Sequence, residues 1–148
     1  MPDQAASFQT TLHVRDHCLC LHLQRAARRV ARRFDEALRH LDLTNGQFSL
    51  LTSLNRPQPA RMGSVATLLA MDRTTLTAAL KPLVRRGLVA AVVDEADRRG
   101  RRVALTAEGH ALLARAVPVW QVCHEGLEAR IGQPAADELR AGLDALAA

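Results

Sequence analysis

Asp72 to Gly109 reads DRTTLTAALKPLVRRGLVAAVVDEADRRGRRVALTAEG, and the organisation of the whole chain follows from it. Leu76, Leu80, Leu83 and Val84 recur at three- and four-residue steps, which predicts a helix over Thr74 to Arg86 with one apolar face. Asp72 suits its N-cap and Gly87 its stop, while Pro82 removes one backbone bond and is expected to loosen the last turn. The opposite face carries Thr74, Thr75, Thr77, Ala78 and Lys81. These are short or flexible groups, suited to a groove lined with phosphates and base edges.

Beyond Gly87, Leu88 to Val93 is rich in β-branched and small apolar residues and Arg102 to Leu105 alternates, so both segments read as strands. The link between them sets Arg98, Arg99 and Arg101 around Gly100, a hairpin tip suited to a minor groove or to phosphates. Asp97 is expected to steady one of these arginines. Upstream, Thr44 to Leu54 and Gly63 to Leu69 are short helical patterns, opened by Thr44 and by the Gly63-Ser64 pair. The second turns at Ala70-Met71-Asp72 into the helix above. That order is a helix-turn-helix, with Ser64 and Arg73 flanking the groove-facing helix.

These residues resemble the MarR family of winged helix-turn-helix transcriptional regulators over nearly the whole chain. The likeness rests on LTNGQFSLL at 43–51, TLTAALKPLVRRGLV at 75–89 and, most specifically, DRRGRRVALTAEG at 97–109. It implies a mainly α fold with a small β wing, the winged helix-turn-helix joined to a helical dimerisation body. It also implies a homodimeric repressor on a near-palindromic operator, relieved by a ligand or oxidant, with Arg99 in the minor groove and Asp97 bracing it.

Composition agrees. One domain is expected over 1–148, with the DNA-binding lobe at 43–106 and the dimerisation region at 12–41 and 107–148. Residues 56–102 hold ten basic side chains against four acidic ones, a local balance of +6 that exceeds the +5 of the whole chain. The segment after 103 is acidic. A basic centre of this kind is the footprint of a protein that meets a polyanion, and double-stranded DNA is the expected partner. Nothing resembles a signal peptide or a membrane span, so a cytoplasmic location without membrane contact is expected.

Leu19, Leu23, Ala26, Val30, Phe34, Leu38 and Leu41 form one stripe and predict a long first helix ending near His40. Helices from Ala107 to near Arg130, bent at Pro118, and from Pro134 to Leu146 complete the body. So many long helices in a short chain are best covered by a second copy, related by a two-fold axis.

Three cysteines without paired spacing argue for a reducing compartment, where a thiol can act as a sensor. In the organic-hydroperoxide-sensing branch of the MarR family a cysteine matches Cys20, and some members pair it across the dimer with one placed like Cys123. That resemblance implies release from DNA on oxidation of Cys20, with Cys18 as a further thiol. The branch activates its thiol with tyrosines, which this chain lacks. Gln24 and Phe48 occupy two of the expected positions, leaving His22 or Arg28 to assist.

Other effectors stay open. His22, Phe34, Phe48, Met62 and Trp120 are candidates for a pocket holding a small aromatic or phenolic ligand. His13 with His17, Cys18 with His22, and Cys123-His124 offer ligands of the kind that suit zinc or copper and leave a metal ion open as an alternative effector, but they match no established zinc spacing, so no metal site and no cofactor are assigned. Ser49, Ser53 and Ser64 lack a nucleophile-base context and no glycine-rich phosphate loop is present, which argues against an enzyme. A winged module serving only protein interaction is the alternative of another class; steep salt dependence would separate the two.

Overall fold

The computed structural model describes residues 5–96 and 100–148, so Asp97, Arg98 and Arg99 lie outside the described residues. The chain divides into two compact units, Met1–Arg33 and Phe34–Ala148.

In the first unit, helix α1 (Phe8–His17) opens at Ser7, whose hydroxyl accepts from the Thr10 amide. It overlaps the helical region expected from residue 12, but it buries no residue, so no apolar stripe marks it as a separate helix. Cys18 closes α1 in an extended conformation (φ −70°, ψ 109°), so it sits at the junction that precedes the long helix and not inside it. Helix α2 (Leu19–Leu38) follows, and a 3-10 turn over Arg39–Leu41 replaces the α-helical ending predicted near His40. Asp42 then takes a left-handed conformation (φ 54°) that ends the run.

The second unit contains the predicted centre. Helix α3 (Asn45–Ser53) begins with a capping box, in which the Thr44 hydroxyl accepts from the Gln47 amide and the Gln47 side chain accepts from Thr44 N–H. Two-residue strand β1 (Ala60–Arg61), too short for any periodicity, leads into α4 (Met62–Leu68) and α5 (Arg73–Arg85). The α4–α5 turn places Ala70 at φ 51°. Asp72 caps α5 through the Thr75 amide at 2.7 Å. At the far end Gly87 (φ 71°) completes a Schellman motif: Gly87 N–H donates to Val84 O and Leu88 N–H to Leu83 O, both at 3.0 Å. Pro82 lies inside the helix, which continues through it to Arg85. Only the last turn follows it.

Strands β2 (Val89–Val93) and β3 (Arg101–Leu105) pair antiparallel from Val89↔Leu105 to Val93↔Arg101, and β1 joins the other edge of β3. Helices α6 (Ala107–Ala129) and α7 (Gln133–Ala147) complete the chain, with α6 running past Pro118. Thr106 fastens this junction. Its hydroxyl donates to Gly87 O at 2.6 Å and accepts from Gly109 N–H, while its own amide donates to Leu88 O.

The core of this unit gathers Leu38, Leu50, Leu51, Val65, Leu76 and Leu83, each at most 2% exposed. Burying such leucines contributes roughly 1.5–3 kcal/mol apiece, enough to fix which face of α5 turns inward. Val84, expected on the buried face, is 46% exposed. It lies at the flank of the stripe, where α5 meets the sheet.

Candidate nucleic-acid interface

Because Leu76, Leu80 and Leu83 are buried, the other side of α5 faces solvent. Arg73, Thr74, Thr75, Thr77, Ala78, Lys81 and Arg85 are all exposed there. Local bonds divide the threonines. Thr75 Oγ1 donates to Asp72 Oδ2 at 2.8 Å and Thr77 Oγ1 to Arg73 O at 2.8 Å, so both hydroxyls keep only acceptor capacity for a partner. Among the described residues no such bond engages the Thr74 hydroxyl. Ser64 Oγ donates to Arg61 O and accepts from Arg56 Nη1, which holds it at the start of α4.

Between α5 and the sheet lies a cleft of about 660 Å³. Leu80, Val84 and Val103 contribute its apolar lining, and Arg73, Lys81, Arg85 and Arg101 its cations. None of these four cations pairs with an acid among the described residues. Unpaired guanidinium and ammonium groups on one exposed face create a positive potential that attracts phosphate.

The bracing expected of Asp97 falls outside the described residues. A different acid, Asp94, organises the base of the hairpin. Its side chain is 7% exposed, accepts from Ala96 N–H at 3.0 Å and pairs with Arg102 Nε at 3.0 Å and Arg61 Nε at 3.9 Å. The Ala96 amide, then the Arg102 guanidinium, hold its carboxyl below the usual carboxylate range. Arg102 also donates to Pro59 O, tying β3 to the segment before β1. The sequence offered a signal for this in one acid at the end of an apolar strand, facing an arginine-rich return strand. Asp72 is likewise lowered by the Thr75 amide and hydroxyl, and Asp35 by the Asn45 amide and side chain that it caps.

Of the residues proposed for effector binding, Phe48 and Trp120 stack at a 6.2 Å centroid separation, and Trp120 also stacks with His124 at 4.7 Å. Met62 lies elsewhere, in the α5 cleft. Phe34 is half-buried at the start of the second unit. His22 belongs to the first unit and turns Nδ1 to Cys18 O at 2.9 Å. Cys20 is exposed, and Gln24 Nε2 donates to its sulfur at 3.2 Å. Cys18 and Cys123 are half-buried free thiols. His13 and His17 stack at 4.3 Å, yet no group of three metal-ligating side chains forms among the described residues.

The sequence profile of the MarR family matches residues 43–100. The M. tuberculosis transcriptional regulator MosR, solved in complex with DNA, is 36% identical, with a TM-score of 0.79 over 88% of this chain and 96% of that one. The chain belongs to the MarR family. The transcriptional repressor CouR, solved on a 23-mer DNA duplex, is 32% identical, with a TM-score of 0.82 over 91% of this chain and 96% of that one. The transcriptional activatory protein BadR of Rhodopseudomonas palustris is 37% identical over 83 residues, 54% of this chain and 43% of BadR. The chain spans about half the length of the curated relatives it matches. MarR-family regulators are DNA-binding proteins and not enzymes. In this fold α4–α5 is the helix-turn-helix and β2–β3 the wing. Among the described residues no helix is long and apolar enough to cross a membrane.

Proposed function

We propose that this chain is a homodimeric transcriptional repressor that binds a near-palindromic operator in double-stranded DNA. The observation that carries the reading is the exposed face of α5, where Arg73, Thr74, Thr77 and Lys81 stand over a buried leucine stripe and neither cation pairs with an acid among the described residues. Its support from kinship is the 36% identity to a regulator solved on DNA. Thr75, Ser64, Arg98, Arg99 and Arg101 complete the proposed contact set. Asp97 braces the wing tip, and a second copy presents the same set about one helical turn away, roughly 34 Å.

The proposed switch is oxidation of Cys20 by an organic hydroperoxide. The thiolate attacks the peroxide oxygen, releasing an alcohol and leaving a sulfenic acid; condensation with Cys123 of the second copy then forms a disulfide and releases water. The exposure of Cys20 and the amide of Gln24 beside its sulfur support the reading. A small aromatic ligand near Phe48 and Trp120 is the second reading, supported by their stacking on α3 and α6.

The test is fluorescence anisotropy on DNA from upstream of the chain's own gene, with reduced protein, after stoichiometric cumene hydroperoxide and after dithiothreitol. Tight binding that falls steeply with salt, weakens in Arg99→Ala and is lost reversibly on oxidation is expected. A crosslinked dimer on a non-reducing gel should vanish in both Cys20→Ser and Cys123→Ser. Binding indifferent to oxidant refutes the switch; no binding at any salt refutes the repressor.

A further inference from the structure

One basic surface lies outside the winged module. Helix α2 carries Arg25, Arg28, Arg29, Arg32 and Arg33, at steps of three and four residues that set all five on one face. All five are exposed, and none is within ion-pair distance of an acid among the described residues. The acids flanking this run in sequence are engaged elsewhere: Asp16 by Arg15, Asp35 by Asn45, Glu36 by Arg39. Solvated helix faces gain from alternating charge, whereas like charges three or four residues apart repel. Five arginines without one interleaved acid therefore weaken the isolated helix, and a polyanion laid along them removes that repulsion.

We propose that the arginine face of α2 is a second DNA-backbone contact surface, adding sequence-independent affinity to the recognition by α5 and the wing. The inference rests on the DNA-binding reading above. The run from Arg25 to Arg33 extends about 12 Å at 1.5 Å per residue, longer than one phosphate or carboxylate and suited to successive phosphates of a strand. Guanidinium groups bind phosphate through paired donors and stay charged at every accessible pH. The acidic C-terminal region of a second copy is a poorer match, since Glu128 and Asp137 already hold Arg140. The opposite side of α2, with Leu19, Leu23 and Val30, is apolar, so the arginines do not compete with it for cover.

The test compares full-length wild type with Arg28→Ala/Arg29→Ala/Arg32→Ala, and with the corresponding triple lysine variant. Affinity is read over a salt series on a duplex of arbitrary sequence and on the duplex from upstream of the chain's own gene. Alanine is the best helix former, so circular dichroism should report an intact helix. The alanine variant is expected to lose about tenfold or more in affinity for both duplexes alike, with the slope of log K against log salt reduced by about 2–3 per chain. The lysine variant should keep most of that slope. Wild-type binding that the alanine substitutions leave unchanged in affinity and slope overturns the inference while the repressor reading stands. Loss confined to the upstream duplex assigns the arginines to sequence recognition and also overturns it. If wild type binds neither duplex, the DNA reading fails and this one with it. Unchanged DNA binding together with arginine-dependent binding to vesicles of phosphatidylserine and phosphatidylcholine assigns the face to a lipid surface instead.

Discussion

Replacing Gly109 by alanine sets helix propensity against packing, and the geometry decides between them. Gly109 lies in the first turns of α6, where alanine is favoured over glycine by about 0.8–1.0 kcal/mol. A Cβ built there stands 2.1 Å from the carbonyl oxygen of Leu88, 3.1 Å from its carbon and 3.3 Å from Leu105 Cδ2. The obstructing atom is backbone and cannot rotate away. Leu88 is held on both sides, its amide donating to Leu83 O and its carbonyl accepting from Thr106 N–H at 3.1 Å. Relief requires α6 to retreat by roughly 1 Å, which strains the Thr106–Leu88 bond and the Thr106 cap on Gly109. Overpacking of this kind costs about 1–3 kcal/mol, and loosening a cap adds about 1. After the propensity gain is subtracted, Gly109→Ala should lose about 1–3 kcal/mol. For a chain of this size that is a fall in Tm of roughly 3–10 °C. Thermal unfolding at matched protomer concentration measures it, since association shifts Tm. Gly126→Ala, in the same helix with nothing within 4 Å, is the control and should gain up to about 1 kcal/mol. A Gly109→Ala protein as stable as wild type would refute the argument from close approach.

Leu76→Ala, at a position 0% exposed between α5 and the core, should cost about 2.7–5 kcal/mol in urea unfolding; a loss under 1 would mean that this face of α5 is not clamped. Asp72→Ala should shorten the protection of α5 amides in hydrogen exchange at neutral pH. Because the carboxyl is held below its ordinary value when folded, its contribution is complete above the unfolded carboxylate range and disappears as pH falls through the folded value. Wild type and Asp72→Ala should therefore converge in stability in acid, and a gap that persists there would contradict the cap. Asp94→Asn removes the charge paired with Arg102 and Arg61 while keeping the shape. It should increase exchange in β2 and β3 and weaken DNA binding without altering secondary structure by circular dichroism; unchanged strand protection would assign the wing base to other contacts.

The local grammar of the chain was readable because it depends on neighbours in sequence. Asp72 and Thr44 as caps, Gly87 as the stop and the leucine spacing of α5 each act within one or two turns, so the order of residues dictates them. The same holds for α2, α6 and α7, whose stripes carry their own signal. Helix α1 escaped as a separate helix because it has no stripe, and β1 because two residues have no period. The five arginines of α2 are present in the sequence, but that they share one exposed face follows from the helix that carries them.

Contacts distant in sequence were decided only by the tertiary structure. That Asp94 anchors the base of the wing depends on β1 and β3 bringing Arg61 and Arg102 to one carboxylate. That Val84 lies open while Leu83 is buried depends on where the sheet meets α5. Gly109 shows the difference most plainly. A glycine in a helix is a local liability by propensity, and the sequence says nothing more. The need for it comes from the Leu88 carbonyl, twenty-one residues away along the chain, occupying the space a side chain would fill.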